Sequence, residues 1–195
     1  MEQQEIKTLR ILEAFHKDPG QTQRDLSRKL KISLGMVNAF TKRLAKKGYF
    51  KVTTIPKKRI QYILTPKGLS EKARLTYQYV LYSMQYYRDT RAKIKTIFKN
   101  LSKNNAAKIY FFGVSELAEI AYIALQETDL VLAGIIDDNT DGGEFLGVPV
   151  KGLSCLKDIP SIDLIVVTKL DEHERTLELL TKSGIDNKRI IDLRK

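Results

Sequence analysis

Apolar residues in the first third of the chain recur at steps of three and four. From Glu2 to Lys17 the series Ile6, Leu9, Leu12 (or Ile11) and Phe15 predicts an amphipathic helix, stopped by Asp18-Pro19-Gly20. Thr22 is placed to cap a second helix with Asp25 in its first turn, and Leu26 and Leu30 on its inner face. After the turn Lys31-Ile32, Ser33 caps a third helix whose inner face is Val37, Phe40 and Leu44 and whose stop is Gly48. The period then changes to that of strands. "YFKVTTI" and "IQYIL", separated by "PKKR", predict a two-stranded hairpin with a basic tip.

Thr65-Pro66 opens a long helix running to about Ser102. Along it Ala73, Tyr77, Val80, Met84, Tyr87, Arg91, Ile94, Phe98 and Leu101 alternate at steps of four and three. That is a heptad seam with one polar interruption, Arg91, and it predicts a coiled-coil-type dimer. The dimerisation set is Tyr77, Val80, Met84, Tyr87, Ile94, Phe98 and Leu101. The polar stretch "NLSKNNAAK" ends the seam. Beyond it, apolar runs ("KIYFFG", "LVLAGIID", "VPV", "DLIVVT", "RIIDL") alternate with amphipathic stretches, and a Gly-rich loop, "TDGGEFLG", lies between. Strand–helix alternation of this kind predicts a parallel sheet with helices on its faces. The expected fold class is therefore an α+β winged helix domain over residues 1–66, a long dimerisation helix and linker over 67–104, and an α/β Rossmann-like domain over 105–195.

Charge sharpens this division. Residues 1–68 carry 16 Lys+Arg against 5 Asp+Glu, residues 69–105 carry 8 against 2, and residues 106–195 carry 10 against 16. A basic front joined to an acidic back suggests that the front meets a polyanion and the back does not. No apolar run is long enough to span a membrane, the N-terminus is polar and acidic, and Cys155 is the single cysteine; these point to the cytoplasm.

Two helices, a basic hairpin and this charge describe a winged helix-turn-helix. The third helix fits a major groove, so its outer face is the expected reader of double-stranded DNA. That set is Ser33, Gly35, Met36, Asn38, Ala39, Lys42, Arg43 and Lys46. Asn38 is the expected base reader, because an amide pairs bidentately with adenine. The wing's Lys57, Lys58 and Arg59 are expected on phosphates. A dimer predicts a roughly palindromic operator.

The segment from "TQRDLSRKLKISLGMVNAFTKRLAKKGYF" through "YILTPKGLSEKARLT" resembles winged-helix regulators of the MarR type, and within them those found with bacterial exopolysaccharide biosynthesis. The likeness covers about the first third of the chain, and "LTPKG" is its more specific element. It implies a transcription regulator, of polysaccharide genes if the nearer likeness holds.

In the back half, Gly113-Val114-Ser115-Glu116-Leu117-Ala118 stands where a Rossmann fingerprint would. Its first glycine is present, Ser115 replaces the second, and Glu116 opposes phosphate at that helix start. Asp137 ends the second strand, where an acidic residue would hold a ribose hydroxyl. The pattern "FFGVSELAEIA…LAGIIDDN…FLGVPVKG…DLIVVT" resembles the small Rossmann-like domains of nucleotide-sugar and polysaccharide proteins, including the N-terminal domains of sugar acyltransferases. The resemblance implies a site of Gly113, Ser115, Asp137, Asp138 and Thr168 at the strand ends, for a nucleotide or nucleotide-sugar effector. A ligand-free protein-interaction module and an NAD(H)-responsive redox repressor are the alternatives. His173 among Asp171, Glu172 and Glu174 does not make a metal set, since neighbours on a helix point apart. No nucleophile, base and orienting group assemble by spacing, so a non-enzyme is expected.

Overall fold

The computed structural model describes residues 1–195 apart from 56–58, 104–107, 140–141, 160–162 and 194–195. The chain forms two compact units, Met1–Gln85 and Tyr86–Lys195.

The first unit contains α1 (Gln3–Lys17), α2 (Gln23–Leu30), α3 (Leu34–Lys46), β1 (Phe50–Ile55), β2 (Arg59–Leu64) and the start of α4 (Pro66–Lys103). Its core joins Leu9, Ile11, Leu12 and Phe15 of α1 to Leu26, Val37, Phe40 and Leu44. The hairpin is antiparallel, with Phe50 paired to Leu64 and Ile55 to Arg59. Aromatic contacts fix its root: Tyr62 stacks on Phe15 at 4.2 Å, and Phe50 meets both edge-on. The Tyr62 N–H donates to the Pro19 carbonyl (2.9 Å) and the Gln23 amide donates to the Tyr62 hydroxyl (3.0 Å).

"LTPKG" acquires a physical reading. The Thr65 hydroxyl donates to the Gly48 carbonyl (2.6 Å) and accepts from the Gly68 N–H (3.1 Å), capping α4 while tying it to the α3–β1 junction. A Cβ on Gly68 would lie 1.8 Å from the Tyr49 carbonyl oxygen, so only glycine fits there. Its role is close approach to the Tyr49 backbone.

The second unit holds the end of α4, then β3 (Lys108–Phe112), α5 (Glu116–Leu125), β4 (Val131–Ile136), β5 (Glu144–Phe145), β6 (Val148–Lys151), β7 (Leu164–Val167), α6 (His173–Lys182) and β8 (Ile190–Asp192). The sheet order is β5-β6-β4-β3-β7-β8, parallel throughout except for the β5–β6 pair. The Gly-rich loop thus contains a short edge strand, turned back on β6 at Leu146 (φ 57°) and Gly147 (φ 73°). Left-handed residues suit such a tight hairpin turn.

A sheet of this kind needs helices on both faces. Part of the predicted dimer seam meets that need, which corrects the expectation for its second half. Ile94 and Phe98 are fully buried with Phe111, Leu117, Ile135 and Val166, and Leu101 packs against the same cluster. Phe98 stacks on Phe111 at 6.5 Å. The seam's polar interruption also has an internal partner, because Arg91 and Lys95 both pair with Glu127. Those two cations hold the Glu127 carboxyl below the ordinary carboxylate value. The opposite face of the sheet is covered by α6 and the turn at Leu153–Asp158, through Leu156, Ile159, Leu180 and Ile185. α4 runs from the first unit into the second, which begins at Tyr86.

Candidate functional site

Ser33 starts α3 by accepting from the Met36 N–H at 3.2 Å. The side chains that build the core from this helix are Val37, Phe40, Thr41 and Leu44. Their spacing turns Ser33, Gly35, Met36, Asn38, Ala39, Lys42, Arg43 and Lys46 outward, and all eight are exposed. Nothing lies within 4 Å of the Cβ that Gly35 lacks, so the start of the helix leaves room for a close neighbour. Leu34 is exposed too and adds an apolar contact beside Met36.

Arg43 differs from the other cations of α3. Its guanidinium lies 4.3 Å over the Phe40 ring and donates to the Gln4 side chain at 3.2 Å, so it is turned toward its own domain. Lys57 and Lys58 lie outside the described residues, and Arg59 is described only through its backbone pairing in β2. α2 supplies exposed Arg24, Arg28 and Lys29, which a reading centred on α3 and the wing leaves out. Their sequence signal was the cationic residues of α2, with Arg24 and Arg28 on the side opposite Leu26.

Behind α3, the Arg74 guanidinium donates to both carboxylate oxygens of Glu71, at 2.8 and 2.9 Å. These hydrogen bonds hold the Glu71 carboxyl below the ordinary value, against a smaller opposing effect of burial. Arg74 also approaches Glu5 at 3.9 Å, which links α4 to α1.

At the ends of β3, β4 and β7 there is a crevice of about 360 Å³ lined by Val114, Ser115, Glu116, Asp137, Asn139, Lys169, Leu170 and Asp171. Of the implied ligand residues, Ser115 and Asp137 line this crevice, while Gly113, Asp138 and Thr168 do not, and the polar groups of Ser115, Asp137 and Thr168 are spent on nearby backbone. Asp137 accepts from the Val114 N–H through one oxygen and from the Asn139 N–H through the other, each at 2.8 Å. The Ser115 hydroxyl accepts from Leu117 N–H and Ala118 N–H and donates to the Thr168 carbonyl at 2.6 Å. Thr168, fully buried, hydrogen-bonds the Phe112 and Gly113 carbonyls. Asp138 is ion-paired with Lys169, both nearly buried. Gly113 has φ +106°, and a Cβ there would sit 2.6 Å from the Lys169 Cβ.

A phosphate needs free N–H groups at a helix start and a glycine that admits it. Here the amides of Val114, Leu117 and Ala118 are engaged, Glu116 and Asp171 are acidic, and Lys169 rather than open space lies against Gly113. These residues do not fit a nucleotide phosphate. Lys169, one position past Thr168, lines the crevice and is the residue the sequence reading omitted.

Residues 4–51 match the family model for winged helix-turn-helix DNA-binding domains, so the first unit carries such a domain. None of the curated proteins matches the chain. Among solved structures, it is similar to the PcaV transcriptional regulator from Streptomyces coelicolor in complex with its natural ligand, at 20% identity and a TM-score of 0.40, over 50% of this chain and 71% of that one. Among the described residues, no helix is long and apolar enough to cross a membrane.

Proposed function

We propose that this protein is a sequence-specific transcriptional regulator that binds a roughly palindromic operator as a homodimer. α3 enters the major groove, with Asn38 reading a base and Lys42 and Lys46 on phosphates; the basic wing tip lies along the backbone. The observation that carries this reading is the face of α3, exposed from Ser33 to Lys46 over a core that fixes its orientation. Genes of polysaccharide biosynthesis are the proposed targets, on the sequence resemblance alone. Selection of tight binders from randomised duplexes tests the proposal. A recovered two-fold motif, with affinity falling steeply as salt rises, is expected. Equal affinity for all duplexes would sink sequence-specific regulation.

For the second unit, the geometry favours an interaction module over a sensor of nucleotides, nucleotide sugars or NAD(H). The engaged amides and the acidic rim support this choice. Thermal unfolding of the full chain against those compounds separates the two readings. A ligand at 100 times its dissociation constant stabilises by about 2.7 kcal/mol. No shift is expected; a clear shift with any of them would restore the sensor.

A further inference from the structure

Charge changes sign inside the second unit. Residues 106–181 carry 5 Lys+Arg against 14 Asp+Glu, whereas residues 182–195 carry 5 against 2. The basic stretch begins at the last residue of α6 and includes the short turn Asn187–Arg189 and β8. Among the described residues it lies at one end of the sheet. β8 is paired with β7 on one side and stands last in the strand order.

Successive residues of β8 serve opposite faces of the sheet. Ile191 and Leu193 pack on the cluster that holds Phe98 and Phe111. Ile190 and Asp192 line a groove of about 510 Å³ beside α6. All four are half-buried, so both faces of this edge have area left to cover. Leu177 and Ile190 give the groove an apolar floor. Lys182 and Asn187 form its polar side. The Thr181 hydroxyl donates to the Asn187 side-chain oxygen at 3.1 Å, which fixes that amide and leaves its N–H donors for another acceptor. Lys182 pairs with Glu178 at 3.2 Å, but both side chains are more than two-thirds exposed, and such a pair is weak enough to exchange. Lys188 is exposed as well.

We propose that the β8 edge and this groove take an extended acidic peptide, which adds to the sheet as a further strand. Three features select that occupant. A strand edge presents backbone donors and acceptors at the spacing of another strand. Period-two alternation lays every second side chain of the guest over Leu177 and Ile190, where apolar residues fit. Lys182, Lys188 and the Asn187 amide favour carboxylates beside them. A nucleic acid would use the cations but neither the strand edge nor the apolar floor. The inference rests on the reading of the second unit as an interaction module, and gives that module a site and a partner chemistry.

Panning a random twelve-residue peptide library on the full chain tests it, after removal of every peptide that also binds the Lys182→Glu, Lys188→Glu double variant. Both lysines are exposed, so the variant should keep the far-UV circular dichroism spectrum of the wild type. The retained peptides are expected to alternate apolar and acidic residues. By fluorescence anisotropy, a synthetic member should bind the double variant about 10-fold or more weakly than the wild type. N-methylation of alternate amides in one of the two registers should weaken it by about 10-fold or more as well, because it removes the donors of one strand edge. Lys157→Glu, an exposed position outside the groove, should leave binding unchanged. An empty retained set, or peptides indifferent to N-methylation in both registers, would overturn the proposal. Peptides that all bind the double variant equally would sink this groove and spare the interaction module. A nucleotide that stabilises the full chain would sink the module reading and leave a retained, methylation-sensitive set standing.

Discussion

Two helices in this chain start with the same device and arrive at opposite surfaces. Ser33 caps α3 and Ser115 caps α5, each with a hydroxyl that accepts from backbone N–H groups two or three residues on. Around α3 the next shell is open: its outer residues are exposed and Gly35 has no neighbour within 4 Å. Around α5 the shell is closed, with Asp137 on the Val114 amide, Thr168 on the loop carbonyls and Lys169 against Gly113. A capped helix start is thus not a binding site by itself. What decides is whether the chain's own side chains have taken the donors and the space.

The sharpest way to test that contrast is to add one methyl group to a glycine in each region. Gly113→Ala puts an L residue at φ +106° and a carbon 2.6 Å from Lys169, so the second unit should lose about 3 kcal/mol or more in urea unfolding. Gly35→Ala meets nothing and narrows the freedom of the unfolded chain, so the first unit should gain about 0.4–1 kcal/mol. Equal effects at the two sites would remove the distinction between a closed and an open helix start.

Next in size is Asn38→Ala. An exposed amide that reads one base should cost about 1–3 kcal/mol of discrimination at that base, with stability within about 0.5 kcal/mol of wild type. Competition binding with operators altered base by base provides the measurement. A uniform loss across all sequences would reassign Asn38 to the backbone of the DNA.

Thr41 is smaller still. It lies on the inner side of α3, 3% exposed, with a buried hydroxyl that has no hydrogen-bond partner among the described residues. Thr41→Val keeps the shape and removes that unpaired group, so stability should rise by about 1 kcal/mol. A loss of stability on denaturant unfolding would mean that the hydroxyl has a partner after all.

The least effect is expected from pH. Glu71 has a depressed folded-state value, so its pairing with Arg74 stabilises the first unit above the unfolded carboxylate value of about 4.3. That contribution is lost as pH falls through the lower folded value. Glu71→Gln should therefore flatten the acid limb of the unfolding midpoint between neutral pH and pH values below about 4, and leave the alkaline limb unchanged. An acid limb identical to the wild type's would show that the pair contributes nothing.

Most of the first unit was legible because its information is local. Caps at Thr22 and Ser33, the three-four spacing of Val37, Phe40 and Leu44, and the basic break between two β-rich runs each act over a few residues. Even there, "LTPKG" gave a helix start but not the reason for Gly68, whose neighbour Tyr49 is nineteen positions away. The seam of α4 shows the limit more clearly. Its period announces a buried stripe, yet period carries no label for who does the burying. Ile94 and Phe98 are covered by this chain's own sheet, while Tyr77 and Met84 are left exposed.

Read alone, the sequence determined the order of the elements, the α/β class of the back half, the segregation of charge and the residues that face outward on α3. These follow from hydrophobic period, capping chemistry and side-chain charge, all properties of neighbours along the chain. Only the tertiary structure decided that Asp137, Ser115 and Thr168 spend their polar groups on the backbone around them, that Lys169 meets Gly113, and that the long helix gives its last turns to a core. Those outcomes depend on which distant carbonyls and amides arrive at hydrogen-bonding distance. A buried polar group bonds to whatever folding brings beside it, and spacing in sequence does not say what that will be.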